Sequence, residues 1–399
     1  MAPQVFLREE QIRNLFPSIS RTYKGFGYAM DDFSVIHAFT TEPKVLPSGK
    51  IVKVWFVIVE STEHLDSFEL QNPSENDLVI VFCLDNDNLV SRGLIYRDSR
   101  TDICNVKFVP ERSELYSRSK GLLETSILEQ KKVGVVGLGS GGSAIAIELA
   151  KAGIGNFVLM DFDRIELSNV ARHICGINDL GRYKTYAVRD LILQKNPYAK
   201  IKTLEIDVNE FALDCDSALS DVDVIVCASD NDKSRFLLND ISLKYKIPAI
   251  FGRAITRAIG GDILRVRPHV GPCYNCLYSQ DLRNTEEEIS QKERQAKKFL
   301  PDYTSEESFN AIVQVGLSSD ISPITNMMVK LSLVELSRGT NSGISSLEDD
   351  LTADFYIWAN RREDIYESWN KLEYNFNKPS ILRWYGARVE KDNNCMVCS

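Results

Sequence analysis

The chain has 399 residues, a formal net charge of −9 and 44% apolar residues. That is enough for two domains with a sizeable core, and the acidic balance argues against nucleic acid as the main partner. No apolar run reaches the length of a membrane span, and the opening MAPQVFLREEQIRNLF lacks the basic-then-apolar order of a signal peptide, so a cytoplasmic protein is expected.

Residues 1–110 read as a small β-rich or α+β accessory domain that binds a partner. Val5 to Phe16 is expected to form a short helix ended by Pro17. Ile51–Glu60 and Leu78–Leu84 read as buried strands, Asp85–Asn88 as a turn, and GLIYRD and DICNVKFVP as two further strands. No H-x-H pattern is present, which speaks against a zinc isopeptidase.

Residues 111–399 read as a second, larger domain. The pattern predicts helix from Glu111 to Glu129. Strands are then predicted at Val133–Gly137, Asn156–Asp161, Lys200–Asp207, Asp223–Ser229 and Pro248–Gly252. Helices are predicted at Gly141–Ala152, Thr185–Gln194 and Ser234–Lys246. Strand and helix alternating at this spacing imply a Rossmann-like, doubly wound, mostly parallel sheet. A charged segment, Glu286–Phe299, runs acidic to basic and suits a solvated helix or crossover. Ser322-Pro323 opens another helix reaching Ser337, and Asn341–Asp350 reads as loop.

The chemistry starts at GLGSGG. Gly137, Gly139 and Gly142 give G-x-G-x-x-G between a strand and a helix, with Ser140 and Gly141 inside the turn. The first glycine permits the turn, the second lets phosphate approach the backbone, and the helix N-terminus supplies N–H groups. Asp161 ends the next strand, where an acid can hold ribose hydroxyls. Up to this point a nicotinamide dehydrogenase fits equally well. The residues that follow favour a triphosphate, which needs cations and usually a metal ion. Arg172 and Lys184 supply cations, and Asp230 lies just past a strand end, at the right edge of the sheet for a metal-binding carboxylate.

GLGSGG, DFD (Asp161–Asp163), SNVAR (Ser168–Arg172), G-x-x-K, SDN and GPCYNC together resemble the ubiquitin-activating-enzyme-like superfamily, which includes the bacterial ThiF, MoeB and HesA proteins. The resemblance covers roughly residues 112–340 plus the last cysteine pair. It implies activation of the C-terminal carboxylate of a small protein or peptide with Mg²⁺ and ATP, giving an acyl-adenylate and pyrophosphate. By resemblance, Asp161 binds ribose, with Asp163 beside it. Asn169 and Arg172 contact phosphate, Lys184 sits on the phosphates, and Asp230 holds magnesium. LYSRSKGLL (Leu115–Leu123) is similar to the segment that reaches into a partner subunit, which makes Arg118 an arginine finger across a homodimer. The family commonly has Arg-Gln where this chain has Arg172-His173, and a small residue where it has Ser140.

Cys273 with Cys276 and Cys395 with Cys398 form two C-x-x-C pairs. Four thiolates on two knuckles give a closed tetrahedral site suited to structural zinc. It would tie the end of the chain to the adenylation domain, with the crossover at about 277–320. Many relatives pass the acyl group to a crossover cysteine, yet Leu277–Asn394 contains none. Three routes remain: direct attack on the adenylate by an outside nucleophile, a hydroxyl such as Ser318 or Ser319, or Cys175 or a thiol of the partner.

The expected function is therefore ATP-dependent adenylation of a small ubiquitin-like or carrier protein. The alternative is adenylation of a ribosomally made precursor peptide, as in microcin- or pantocin-type maturation. FYIWANRRE and ILRWYGARVEKDNNC are similar to bacterial relatives near ubiquitin-like conjugation systems, which favours the protein client. A nicotinamide oxidoreductase and a non-catalytic scaffold subunit are the readings from other classes.

Overall fold

The computed structural model describes residues 2–17, 21–30, 32–43, 49–70, 72–98, 100–109, 115–255, 258–278, 316–351, 353–361 and 381–399. The chain divides into two compact units, Met1–Ser117 and Arg118–Ser399.

The first unit is a closed barrel. Its strands are β1 (Gln4–Arg8), β2 (Thr22–Ala29), β3 (Val35–Phe39), β4 (Lys50–Ile58), β5 (Leu78–Asp85), β6 (Asn88–Arg97) and β7 (Arg100–Val109), in the order β1-β3-β2-β4-β5-β6-β7. Parallel pairing of β1 with both β3 and β7 closes the ring. The interior is filled by Val5, Leu7, Val54, Phe56, Ile80, Phe82 and Ile95. Asn86 and Asp87 both take positive φ (49° and 65°), the geometry of a two-residue hairpin turn between β5 and β6. The helix expected from Val5 is corrected here. Gln4–Arg8 is strand, and only Glu9–Arg13 is helical. Alternate burial of Val5 and Leu7 between two neighbouring strands outweighs local preference.

The second unit is built on an eight-stranded sheet. Its strands are β8 (Lys132–Val136), β9 (Asn156–Met160), β10 (Lys200–Leu204), β11 (Val224–Cys227), β12 (Ala249–Ala254), β13 (Gly260–Val266), β14 (Phe355–Ala359) and β15 (Arg383–Ala387), in the order β10-β9-β8-β11-β12-β13-β14-β15. The first five positions run parallel and the last three antiparallel. Residues along each central strand alternate between two cores. Val133, Val135, Phe157, Leu159, Val224 and Val226 face one side, with the helices Ser140–Lys151, Lys184–Lys195 and Ser318–Ser337. Val136, Val158, Met160, Ile225 and Cys227 face the other, with Ala212–Leu219 and Asp232–Tyr245. Helices on both faces make the sheet doubly wound. The chain leaves β8 toward β9 on one side and returns to β11 on the other, so the topological switch point lies between β8 and β11.

Several expectations are revised. In place of a helix over Glu111–Glu129, the described part holds a 3₁₀ turn at Ser117–Ser119 and a short helix at Thr125–Leu128. Gly121 between them has φ +90°, which no continuing helix tolerates. The long helix begins at Ser318, one turn before Ser322, whose hydroxyl donates back to the Ser318 carbonyl at 3.0 Å; Pro323 lies inside it. Asn341–Asp350 carries a 3₁₀ turn at Gly343–Ser346 and a helix at Leu347–Asp350 rather than plain loop. Glu286–Phe299 and most of the crossover lie outside the described residues.

Candidate functional site

The glycine loop follows β8 at the switch point. Gly137 has φ +84°, and a Cβ there would lie 2.7 Å from the Ser229 nitrogen. A Cβ on Gly142 would lie 1.8 Å from the Gly137 carbonyl oxygen. These two positions accept only glycine, and their closeness brings the loop after β8 against the loop after β11. Gly139 caps the helix Ser140–Lys151 and offers no capping side chain, and a Cβ there would meet nothing within 4 Å. The helix N-terminus is thus left to an anion. A Cβ on Gly141 would come within 3.2 Å of Thr325 Cγ2.

Asp161 stands one residue past β9. Its Oδ2 accepts from the Leu138 N–H at 2.6 Å and its Oδ1 from the Asp163 N–H at 2.8 Å. Burial raises its carboxyl above the usual range, and nearby Lys184 works against that rise. Each oxygen keeps a second lone pair, which suits it to accept a ribose hydroxyl. Lys184 opens the helix Lys184–Lys195. Its ammonium lies 2.7 Å from Asp163 Oδ2 and 4.0 Å from Asp161 Oδ1. A buried cation at a helix N-terminus opposes the helix dipole, so these two carboxylates are what hold it there.

Asn169 uses its side-chain oxygen to accept from the Glu166 N–H at 3.1 Å, capping the helix Leu167–Val170. Its NH₂ remains the group suited to an anion. Ser140 Oγ donates to the Arg172 carbonyl at 2.7 Å and ties the loop to the next segment. Arg172 is half-buried and lines a small cavity with Ser140, His173, Ser318, Ser322 and Thr325. Asp230 is exposed, three residues beyond β11 and next to the Ser229 that abuts Gly137. These elements therefore bring together Gly137–Gly142, Asp161, Asp163, Asn169, Arg172, Lys184 and Asp230. Arg118 is not joined to them; it is exposed on the Ser117–Ser119 turn and makes no hydrogen bond or ion pair with that group.

The four knuckle thiols form a second cluster, their sulfurs all within 4.8 Å of one another. Cys273 Sγ lies 3.7 Å from both Cys276 Sγ and Cys395 Sγ, and Cys276 Sγ lies 3.4 Å from Cys398 Sγ. A tetrahedral zinc ion with arms of about 2.3 Å separates its sulfurs by about 3.8 Å, so the donor set fits that ion. Asn239 anchors the knuckle, accepting from the Tyr274 N–H at 2.9 Å.

Cys175 is buried, and burial pushes its thiol up to about 12, so it is a thiol and not a thiolate at neutral pH. Cys83, Cys104, Cys215 and Cys227 are buried as well. Ser318 is exposed at the cavity rim, but His173, the histidine beside that cavity, has both ring nitrogens engaged with backbone groups. It cannot serve as a base for the hydroxyl in that state. The role of His173, a lone histidine in the sequence, carries no spacing signal. The same is true of the tie made by Ser140.

The ThiF family profile matches residues 115–343. Among curated proteins, the chain is 33% identical over 172 residues to the adenylyltransferase and sulfurtransferase MOCS3 of Aedes aegypti, covering 41% of this chain and 38% of that protein. It is 30% identical over 199 residues to the adenylyltransferase and sulfurtransferase UBA4 of Scheffersomyces stipitis, covering 49% of this chain and 40% of that protein. The chain thus spans about two-fifths of the length of these relatives. Among solved structures, E. coli MccB superposes with a TM-score of 0.52 at 16% identity, covering 72% of each chain, a likeness of fold.

Proposed function

Because the chain belongs to the ThiF family, we propose that it is an ATP-dependent adenylyltransferase acting on the C-terminal carboxylate of a small ubiquitin-like or carrier protein. One carboxylate oxygen attacks the α-phosphorus of ATP in line. The bond from that phosphorus to the bridging oxygen breaks, pyrophosphate leaves with the electron pair, and an acyl-adenylate remains. The nucleophile is already ionised at neutral pH, so no general base is needed, in keeping with a site without a free histidine.

The observation that carries this reading is the meeting, at one switch point, of a glycine-only turn, Asp161, Lys184, Arg172 and the Asp230 loop. The N-terminus of the Ser140–Lys151 helix, Asn169, Arg172 and Lys184 bind and orient the phosphates, and Asp161 and Asp163 address the ribose side. Asp230 would hold Mg²⁺, which supplies charge neutralisation to the phosphate oxygens. Arg118 acts from a second copy in a homodimer. Cys273, Cys276, Cys395 and Cys398 would hold Zn²⁺ in a stabilising role. With Cys175 and the other non-knuckle cysteines buried, the adenylate passes directly to an outside nucleophile. A cytoplasmic location belongs to this reading, supported by the use of ATP. Among the described residues no helix is long and apolar enough to cross a membrane.

The test is client-dependent ATP–pyrophosphate exchange. Asp230→Ala and Arg172→Ala should each lower it about 10²–10³-fold, as loss of a charge-stabilising group does. Exchange that survives both substitutions rejects the site. Binding of a nicotinamide dinucleotide in preference to ATP rejects the reaction.

A further inference from the structure

Leu138, between the first two glycines of the loop, is held from both sides. Its N–H donates to Asp161 Oδ2 at 2.6 Å, and its carbonyl lies 2.7 Å from His173 Nε2. The other ring nitrogen, Nδ1, lies 3.1 Å from the Cys175 backbone nitrogen. A peptide N–H only donates and a carbonyl only accepts. Nδ1 must therefore be bare and Nε2 must carry the proton. One neutral tautomer satisfies both contacts, and the residue is only 8% exposed.

We propose that His173 is a positioning residue whose neutral Nε2–H form locks the Leu138 peptide, and with it the helix N-terminus that follows, so that protonating the ring lowers nucleotide affinity. The ligand in this inference rests on the nucleotide reading above; the clamp does not. A charged ring would set its Nδ1–H against the Cys175 N–H, two donors face to face. The ring would have to turn, leaving the Leu138 carbonyl unpaired.

The surroundings favour the neutral form. Burial is the largest influence and holds the ring below its usual value. Lys184, from the helix behind the loop, and the adjoining Arg172 push in the same direction. The Leu138 carbonyl and Asp179, on the turn Ile177–Asp179, favour the charged ring. Asp161 bonds the same leucine through its N–H, in the preceding peptide unit. A glutamine offers the same donor and acceptor and cannot titrate, which provides the control.

Two measurements decide the proposal. The first is calorimetric binding of a non-hydrolysable ATP analogue with Mg²⁺ between pH 5.5 and 8. His173→Ala should weaken binding about tenfold at pH 8. His173→Gln should restore it to within about threefold and lose the extra weakening that the unsubstituted protein shows toward acid. The ligand's own titration cancels in that comparison. Equal affinity for the alanine variant at every pH, or an unchanged acid-side loss in the glutamine variant, overturns the proposal. The second, without ligand, is ¹⁵N NMR of the imidazole with amide exchange across Leu138–Gly142. The Nε2–H tautomer at pH 7.5, with faster exchange in His173→Ala, supports the clamp; an Nδ1–H or charged ring overturns it. If the unsubstituted protein binds no nucleotide at pH 8, the nucleotide reading fails, and the second measurement still decides the clamp.

Discussion

The Tyr274 hydroxyl donates to Asp232 Oδ1 at 2.9 Å, joining the first cysteine knuckle to the start of the helix after β11. Asp232 also accepts from Arg235 Nη1 at 3.3 Å, and Arg235 Nη2 donates to the Ser229 carbonyl at 2.7 Å. Ser229 is the residue that packs on Gly137. A continuous polar chain thus runs from the thiol cluster to the loop bearing Asp230.

That relay separates two roles of the knuckle. Tyr274→Phe should keep one zinc per chain, lower stability by about 1–2 kcal/mol and weaken nucleotide binding severalfold. Cys395→Ser should lose the metal as well as the affinity. Metal content by mass spectrometry, with urea unfolding and calorimetry, distinguishes them. Unchanged nucleotide affinity in Tyr274→Phe would confine the knuckle to a purely mechanical role.

The loop glycines should divide by what surrounds them. Gly137→Ala places a methyl group 2.7 Å from the Ser229 nitrogen at φ +84°. It should cost roughly 2–4 kcal/mol, the strain of a disallowed backbone combined with a clash. Gly139→Ala meets no atom and has φ −68°, so stability should change by less than about 1 kcal/mol. Its methyl group would nonetheless stand at the helix N-terminus, and nucleotide affinity should fall. Thermal unfolding and binding assays on both variants check the pair. An unstable Gly139→Ala would contradict the description.

The depressed proton affinity of His173 also has a thermodynamic sign. Its folded value lies below the ordinary 6.5, so the unfolded chain takes up the proton first. The contribution to stability is full above about pH 6.5 and is lost as pH falls from there toward the folded value. The stability gap between His173→Gln and the unsubstituted protein should therefore move in favour of glutamine between pH 7.5 and 5.5. A pH-independent gap would mean that the ring does not titrate differently on folding.

The long helix is pinned by buried charge. Arg265, on β13, is fully buried and pairs with Asp354 at 2.7 Å, Glu348 at 2.8 Å and Glu335 at 3.2 Å. Arg265→Ala leaves Glu348 and Asp354 with Arg267 alone and Glu335 with the part-exposed Arg338 alone, and should cost about 3–5 kcal/mol, as breaking a buried pair does. Denaturant titration reads this directly, and a loss below about 1 kcal/mol would show that the acids find other partners.

What was legible in the sequence follows the range of the interactions involved. β8, β9 and β11 and their glycine turn are local patterns, and burial on both faces writes them as apolar runs. The knuckles are legible despite lying 122 residues apart, because paired thiols at fixed spacing have few other uses. β1 reads as helix in the sequence because its two neighbours are recruited from distant sequence, and its five residues continue directly into a helix. β13 and β15 gave no warning: Gly260–Val266 pairs with β12 and β14 by tertiary contact, and Arg383–Ala387 is short and only partly buried. His173 was invisible as a clamp because a carbonyl and an amide on either side of one ring leave no motif.

Closure of the first unit decides how any partner can engage it. Each described strand in that ring already has two neighbours, so none is an edge strand beside which an extended tail can add as a further full strand. A client gripped there is recognised chiefly through side chains. The second unit differs: β10 and β15 end its sheet, and a peptide seeking backbone pairing with the described strands has those two margins to choose from.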